Sequence, residues 1–292
     1  MKTAGENFRA ALKEENPLQI IGTINAYSAL LAEKAGFRAI YLSGAGVANA
    51  SYGLPDIGMT SLDNVLEDVR RITGVTRLPL LVDIDTGWGS AFNIANTIRQ
   101  MVRAGAGAVH IEDQVQAKRC GHRPGKALVS VEEMCDRVKV AADARTDTRF
   151  LIMARTDAYS VEGFQSAVER SNAYVEAGAD MIFAEAMQNL EEYRKFAADV
   201  KVPVLANLTE YGKTPLFSLD DLKSAGIRIA LYPLTAFRAM SAAANLVYQT
   251  VRREGTQKGL IESMQTREDL YKILDYHTYE KKLDTLLERE NK

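Results

Sequence analysis

The chain has 292 residues, with 36 lysines and arginines against 38 aspartates and glutamates and a formal net charge of −2. That balance excludes the dominant basic footprint of a nucleic-acid binder, and no apolar run reaches the roughly 18 residues that a membrane span needs. A hydrophobic content of 47% supplies a large core, and the two cysteines, Cys120 and Cys135, have neither zinc-ligand nor disulfide-framework spacing, which suits a reducing, cytoplasmic setting.

The N-terminal "MKTAGENFRAALKEENP" has no apolar signal core and predicts a short amphipathic helix. Beyond it one pattern occurs four times, as "KAGFRAIY", "RAGAGAVH", "EAGADMIF" and "SAGIRIAL". Each is a polar helix end, an Ala-Gly stop and an apolar run. Gly36, Gly105, Gly178 and Gly226 are therefore predicted to close helices in the left-handed region. Apolar runs near 18–24, 39–45, 78–85, 108–112, 149–155, 181–186, 202–208 and 227–233 predict eight strands separated by helical patterns. Strict alternation implies a parallel sheet, and eight units close into a (β/α)8 TIM barrel. The alternative is an open doubly wound sheet, but no G-x-G-x-x-G follows the first strand. Residues 1–292 are read as a single barrel domain. "AFRAMSAAANLVYQTVRREG" predicts one long helix, and 255–292 a C-terminal helical extension that packs on its own barrel or on a neighbouring subunit.

The C-terminal ends of the predicted strands, where barrels of this kind carry their chemistry, are polar or charged in nearly every case. Asp83 and Asp85 lie two apart on one predicted strand, so both are expected to share a face, with Glu112 closing the next strand beside them. Clustered carboxylates without cysteine or histidine spacing suit a hard divalent cation, Mg²⁺. The alternative is that these acids cap helices or pair with Arg155. His110 is expected to be a packed strand residue. No predicted strand contains lysine, so a Schiff-base mechanism has no nucleophile here. Arg155 and Arg238 offer planar forks to carboxylates, and Glu185, Asn207 and Thr209 add polar groups, as for a small polyanion.

After the fourth strand comes "AKRCGHRPGKALVS", Ala117 to Ser130, too rich in glycine and proline for a helix. It contains no acid. Lys118, Arg119, His122 and Arg123 are expected to attract an anion and to lower the Cys120 thiol pKa, unless the loop is merely solvated. Cys135, inside a helical pattern, reads as a small core residue.

"KRCGH", "VDIDTGWG" and the strand-four "IED" resemble the isocitrate lyase and phosphoenolpyruvate mutase superfamily, and most closely its 2-methylisocitrate lyase branch. The likeness extends from "YLSGAGVANASYGLPDIGMTS" through "ANLTEYGKTP" to the last helices. It implies a lyase that splits the tricarboxylate 2-methylisocitrate into pyruvate and succinate, in propionate catabolism through the methylcitrate cycle. The alternatives are isocitrate or 2,3-dimethylmalate as substrate, or a phosphonopyruvate mutase or oxaloacetate decarboxylase, both of which lack the cysteine of the loop. By the same resemblance Ser43, Gly44 and Ala45 bind a substrate carboxylate beside Tyr41. Asp83 and Asp85 hold Mg²⁺, with Mn²⁺ as a substitute, and Asp56 and Glu112 reach it mainly through water. Lys118, Cys120, Gly121 and His122 form a catalytic loop in which Cys120 protonates the product carbanion. Arg155, Glu185, Asn207, Thr209 and Arg238 form an anion pocket, Arg267 adds a contact, and Phe183 with Tyr232 to Thr235 lies near the methyl group. Tyr41, Glu112 or a metal-bound hydroxide is the base. A homotetramer exchanging C-terminal helices is also implied.

Overall fold

The structure, a computed structural model, describes residues 2–119, 121–123 and 125–290. Eight strands, β1 (Leu18–Gly22), β2 (Ala39–Leu42), β3 (Leu80–Asp83), β4 (Ala108–Glu112), β5 (Leu151–Thr156), β6 (Met181–Ala184), β7 (Val204–Asn207) and β8 (Ile229–Tyr232), form a closed barrel in chain order. Every pair is parallel, including the β1–β8 pair that closes the ring. The helices are α1 (Ala4–Glu14), α2 (Ala26–Lys34), the short α3 (Gly44–Gly46), α4 (Leu62–Thr73), α5 (Ala91–Arg103), α6 (Val131–Asp143), α7 (Phe164–Glu176), α8 (Leu190–Asp199), α9 (Leu219–Ser224), α10 (Thr235–Glu254), α11 (Arg267–Leu274) and α12 (Tyr276–Glu290).

The Ala-Gly stops behave as the repeat predicts. Gly36, Gly105, Gly178 and Gly226 have φ of 90°, 85°, 116° and 79°, a region where a side chain would be strained. The predicted runs overshoot the C-terminal ends of β1, β2, β3 and β6 by two or three residues, where the chain turns into the connections that follow. After β2, for example, Ser43 is already the N-cap of α3.

Two compact units divide the chain, Met1–Phe237 with the barrel and Arg238–Lys292 with most of α10 and the last two helices. The second unit starts inside α10, upstream of residue 255, because that helix runs unbroken from Thr235 to Glu254.

Alternation along the strands sorts the barrel interior by height. Leu18, Ile20, Leu81, Met153, Met181, Leu205, Ile229 and Leu231 fill it below with one apolar cluster. Above them the same alternation brings Asp83, Glu112, Arg155 and Asn207 inward, with Asp83 level with His110 and Glu112 level with Arg155. The other end is plugged by α1, whose Thr3–Glu6 capping box fixes its start and whose Phe8, Ala11 and Leu12 belong to the interior cluster. Phe8 is fully buried. Phe8→Ala is expected to cost about 3–5 kcal/mol, the usual price of an aromatic-sized cavity, and to lower the thermal midpoint without moving the residues at the opposite rim. Differential scanning calorimetry checks it, and an unchanged midpoint would mean that α1 is not a structural plug.

Candidate active site

At the rim over β2, β3 and β4, backbone and carboxylates meet closely. The Gly44 N–H donates to Asp83 Oδ2 at 3.1 Å, and a Cβ at Gly44 would sit 3.1 Å from that oxygen and 3.2 Å from Asp85 Oδ1. Ser43 and Gly44 are buried and Ala45 half-buried in the same turn. Asp83 and Asp85 are neighbours, though not by strand alternation: β3 ends at Asp83, and Asp85 turns back through a left-handed φ of 48°. Its N–H donates to Asp83 Oδ1 at 3.0 Å, so the tight turn itself pairs the two acids. His110 is buried, as a packed strand residue should be. Its Nε2 lies 2.9 Å from the Tyr41 hydroxyl and 3.6 Å from Asp83 Oδ1, and Phe183 meets its ring edge-on.

Arg155 is the hub of the other half. Its guanidinium reaches Glu112 Oε2 at 3.4 Å, Asp157 Oδ2 at 3.0 Å and Glu185 Oε2 at 3.3 Å, and its carbon lies 5.2 Å from the Phe183 ring centroid. Pairing of Glu112 with Arg155 was the alternative to a purely metal-directed role, and it is present. Asn207 Nδ2 stands 3.4 Å from both Glu185 oxygens, and Thr209 follows in the next turn, packed beside Gly212.

The loop after β4 is pinned at its base like a hairpin, Val115 N–H to Ala127 O at 3.0 Å and Val129 N–H to Asp113 O at 2.9 Å. The expectation of an uncompensated positive loop is corrected here. Lys118 Nζ contacts Asp56 at 2.7 Å and Asp85 at 2.5 Å, His122 Nε2 contacts Glu185 at 3.1 Å, and Lys126 Nζ contacts Asp157 at 2.6 Å. The partners come from the segments that follow β2, β3, β5 and β6, which is why the loop's own sequence showed no acid. His122 Nδ1 accepts the Lys213 N–H at 3.0 Å, so in the neutral ring the proton is on Nε2, facing Glu185. Gly121 is seated so tightly that a Cβ would lie 2.4 Å from Arg155 Nη2 and 2.6 Å from Glu185 Oε2. Cys120 lies outside the described residues. Arg238, in the first turns of α10, and Arg267, the first residue of α11, belong to the second unit. Cys135 is half-buried against the core, its thiol 3.6 Å from Ala173 O.

Sequence reasoning missed Lys126 and Asp157. The available signal was an aspartate two positions after the strand-end arginine, and a second lysine in the loop with no acid nearby in sequence.

Among the described residues the site holds six carboxylates (Asp56, Asp83, Asp85, Glu112, Asp157, Glu185) against three permanent cations (Lys118, Lys126, Arg155). Ionisation follows from burial and this imbalance. Burial opposes the Asp83 charge, but His110, Lys118 and Arg155 outweigh it and hold the pKa near 2. Burial and then Asp83 push Asp85 up to about 6. Burial also drives Glu112 well above the carboxylate range despite Arg155 and Lys118, and its Oε1 has no hydrogen-bond partner. Burial likewise lowers His110 to about 4, so it is neutral near pH 7, and keeps the Tyr41 phenol protonated. Glu185 is the contrary case, kept ionised by Arg155 and His122 against its burial. No three Asp, Glu, His or Cys side chains among the described residues are grouped as metal ligands. Instead the Lys118 ammonium lies between Asp56 and Asp85, a cation standing where the acids want one.

The phosphoenolpyruvate phosphomutase family model matches residues 8–252. A 2-methylisocitrate lyase of Escherichia coli (strain K12) is 61% identical over 99% of this chain and 98% of its own length, and one of Shewanella oneidensis is 60% identical over 99% of each. Among solved structures, a 2,3-dimethylmalate lyase superposes with a TM-score of 0.89 at 34% identity, covering 96% of this chain and 94% of that one. A closed barrel whose rim carries buried carboxylates, a central arginine and the KRCGH loop, together with such full-length likeness, places the chain in the phosphoenolpyruvate phosphomutase family, in the 2-methylisocitrate lyase branch of the PEP mutase/isocitrate lyase superfamily.

Proposed function

We propose that this protein cleaves 2-methylisocitrate into pyruvate and succinate. The observation that carries the reading is the seating of the last two residues of the KRCGH motif in the barrel mouth, where Gly121 rests on the Arg155–Glu185 pair and His122 bonds Glu185. Its full-length likeness to two 2-methylisocitrate lyases at 60–61% identity supports the substrate. In the reaction the substrate hydroxyl loses its proton, the C2–C3 bond breaks to leave the pyruvate carbonyl, and its electron pair passes to the succinate carbon as an aci-carboxylate, which then takes a proton.

The chain's own groups divide this work. Glu112 has an unpartnered oxygen, and the burial that raises its pKa makes its ionised form an unusually strong carboxylate base, so that form is fitted to take the hydroxyl proton, whereas the Tyr41 phenol, held protonated, is fitted to donate a hydrogen bond. Arg155 and His122 face the carboxylate on which charge develops. Cys120 supplies the last proton. The charge deficit among six carboxylates and three cations fits a divalent metal: Asp83 and Asp85, with Asp56 and Glu112 around them, would hold Mg²⁺ or Mn²⁺. When bound it would chelate the 2-hydroxy acid and lower the cost of the alkoxide. Without it, a trianionic substrate would meet a net-negative rim. The proposal includes a cytoplasmic homotetramer that exchanges C-terminal helices. Its support is that no described helix is long and apolar enough to cross a membrane, and that Tyr279, Leu283, Leu286 and Leu287 form an exposed apolar stripe along α12.

Incubation with 2-methylisocitrate is expected to release pyruvate, with kcat/KM roughly 10–200-fold above that for isocitrate, the range one methyl in an apolar pocket can command. Equal kcat/KM on both would remove the methyl-bearing substrate, and release from neither would remove the lyase reading. Chelation is expected to abolish turnover, and Asp85→Ala to abolish both turnover and Mn²⁺ binding followed by electron paramagnetic resonance; full activity in excess chelator would refute the metal. Cys120→Ser should keep product binding and lose about 10²–10⁴ in kcat, since serine is a far weaker acid than a thiol. Rapid-quench turnover measures this, with Cys135→Ser as the control, and a near-normal kcat would show that another group protonates the carbon.

A further inference from the structure

Lys126 is a loop lysine, a residue type that ordinarily keeps its ammonium in water. Here its side chain is 2% exposed. Its Nζ donates to Asp157 Oδ1 and to the Gly121 carbonyl, both at 2.6 Å. Asp157 is itself completely buried and rigidly held. Its N–H donates to Asp113 Oδ1 at 2.9 Å, and Asp113 is bonded in turn by the Thr156 and Tyr174 hydroxyls. The second oxygen of Asp157 accepts Arg155 Nε at 3.0 Å. One fixed carboxylate therefore holds both cations, the loop lysine on Oδ1 and the site arginine mainly on Oδ2, with Arg155 Nη2 also 3.4 Å from Oδ1.

We propose that Lys126 is a positioning residue for the C–C cleavage, an inference that rests on the lyase reading above. It acts through two contacts, the backbone carbonyl of the catalytic-loop residue Gly121 and the carboxylate of Asp157. Through the Gly121 carbonyl it fixes the height of the loop over Arg155 and Glu185, where the missing Cβ of Gly121 leaves no slack. Through Asp157 it shares the charge that otherwise draws on Arg155 alone, which leaves the guanidinium turned toward Glu112 and Glu185. Loss of the ammonium lets the loop lift and rotates Arg155 toward an unshared Asp157. Both errors matter most when charge builds on the departing carboxylate, so the effect belongs to kcat.

The test compares Lys126→Met, Lys126→Arg, Asp157→Asn and the double variant Lys126→Met/Asp157→Asn in steady-state turnover of 2-methylisocitrate. Lys126→Met is expected to lower kcat by about 10²-fold, the scale of a misplacement near 1 Å, with KM within about threefold. The arginine variant, which retains two donors and the charge, is expected to recover at least about tenfold of the loss. The double variant strands no buried charge, so it tests the idea even if the single variant does not fold; its kcat is expected to stay low, with a combined loss smaller than the product of the single losses. A kcat within about threefold of wild type in either folded methionine variant, a loss confined to KM, or an arginine variant no better than methionine would overturn the proposal. A second readout needs no turnover: trypsin cleavage after Arg119, followed by mass spectrometry, is expected to quicken about tenfold in the methionine variant and to return toward the wild-type rate with arginine. Equal cleavage rates would reject the loop-positioning role. A wild-type chain inactive on 2-methylisocitrate would overturn the lyase reading by itself, and the cleavage rates would still decide whether Lys126 fixes the loop.

Discussion

The site is organised around a buried surplus of carboxylates, which the barrel can hold only because cations reach them from several directions at once. Arg155 rises from inside the barrel between Glu112, Asp157 and Glu185, while Lys118 and Lys126 descend from the loop after β4 onto Asp85 and Asp157. Burying one such charge without a partner is far costlier than burying a matched pair. The loop is thus tied to the barrel by the same electrostatics that prepare the rim for chemistry.

That coupling explains the opposed ionisation states of groups a few ångströms apart. Asp83 and Glu185 stay charged because cations reach them directly. Glu112 and Asp85 are pushed toward their protonated forms because burial and neighbouring acids prevail over the same cations. Pushing the pKa values of adjacent carboxylates apart is how one rim can offer both a group that exchanges a proton and a fixed negative charge near neutral pH. Close backbone packing serves the same end. Gly44 lies against Asp83 and Asp85 and Gly121 against Arg155 and Glu185, so that these charged atoms are not covered by a side chain from either position.

The barrel also separates stability from chemistry by height. The interior below is apolar and closed by α1 through Phe8, Ala11 and Leu12, while the opposite rim is charged. Phe183 and His110 mark the boundary, the former touching both the imidazole and the Arg155 guanidinium. A rigid apolar floor allows the strained backbone at Asp85 and Ala186, with φ of 48° and 64°, to persist at the mouth.

The order of the elements was legible in the sequence because it is written locally. Ala-Gly helix stops recur at a regular place before four of the eight apolar runs, and the left-handed φ they require depends on the chain within a few residues. The strand-end residues Asp83, Glu112, Arg155 and Asn207 were legible for the same reason, since a period of two assigns a face without knowledge of the partner strand. Pairing was not legible. That Asp85 meets Asp83 through a turn rather than along a strand, that Lys118, His122 and Lys126 of the loop each meet a carboxylate, and that Asp157 joins Arg155 to Lys126 all depend on residues 31 to 63 positions apart, or on a backbone turn that no periodicity encodes. Sequence determined which side chains stand at the mouth of the barrel. Only closure of the ring, which brings distant strand ends within hydrogen-bonding distance in a medium of low dielectric, decided which of them share a proton, a charge or a partner.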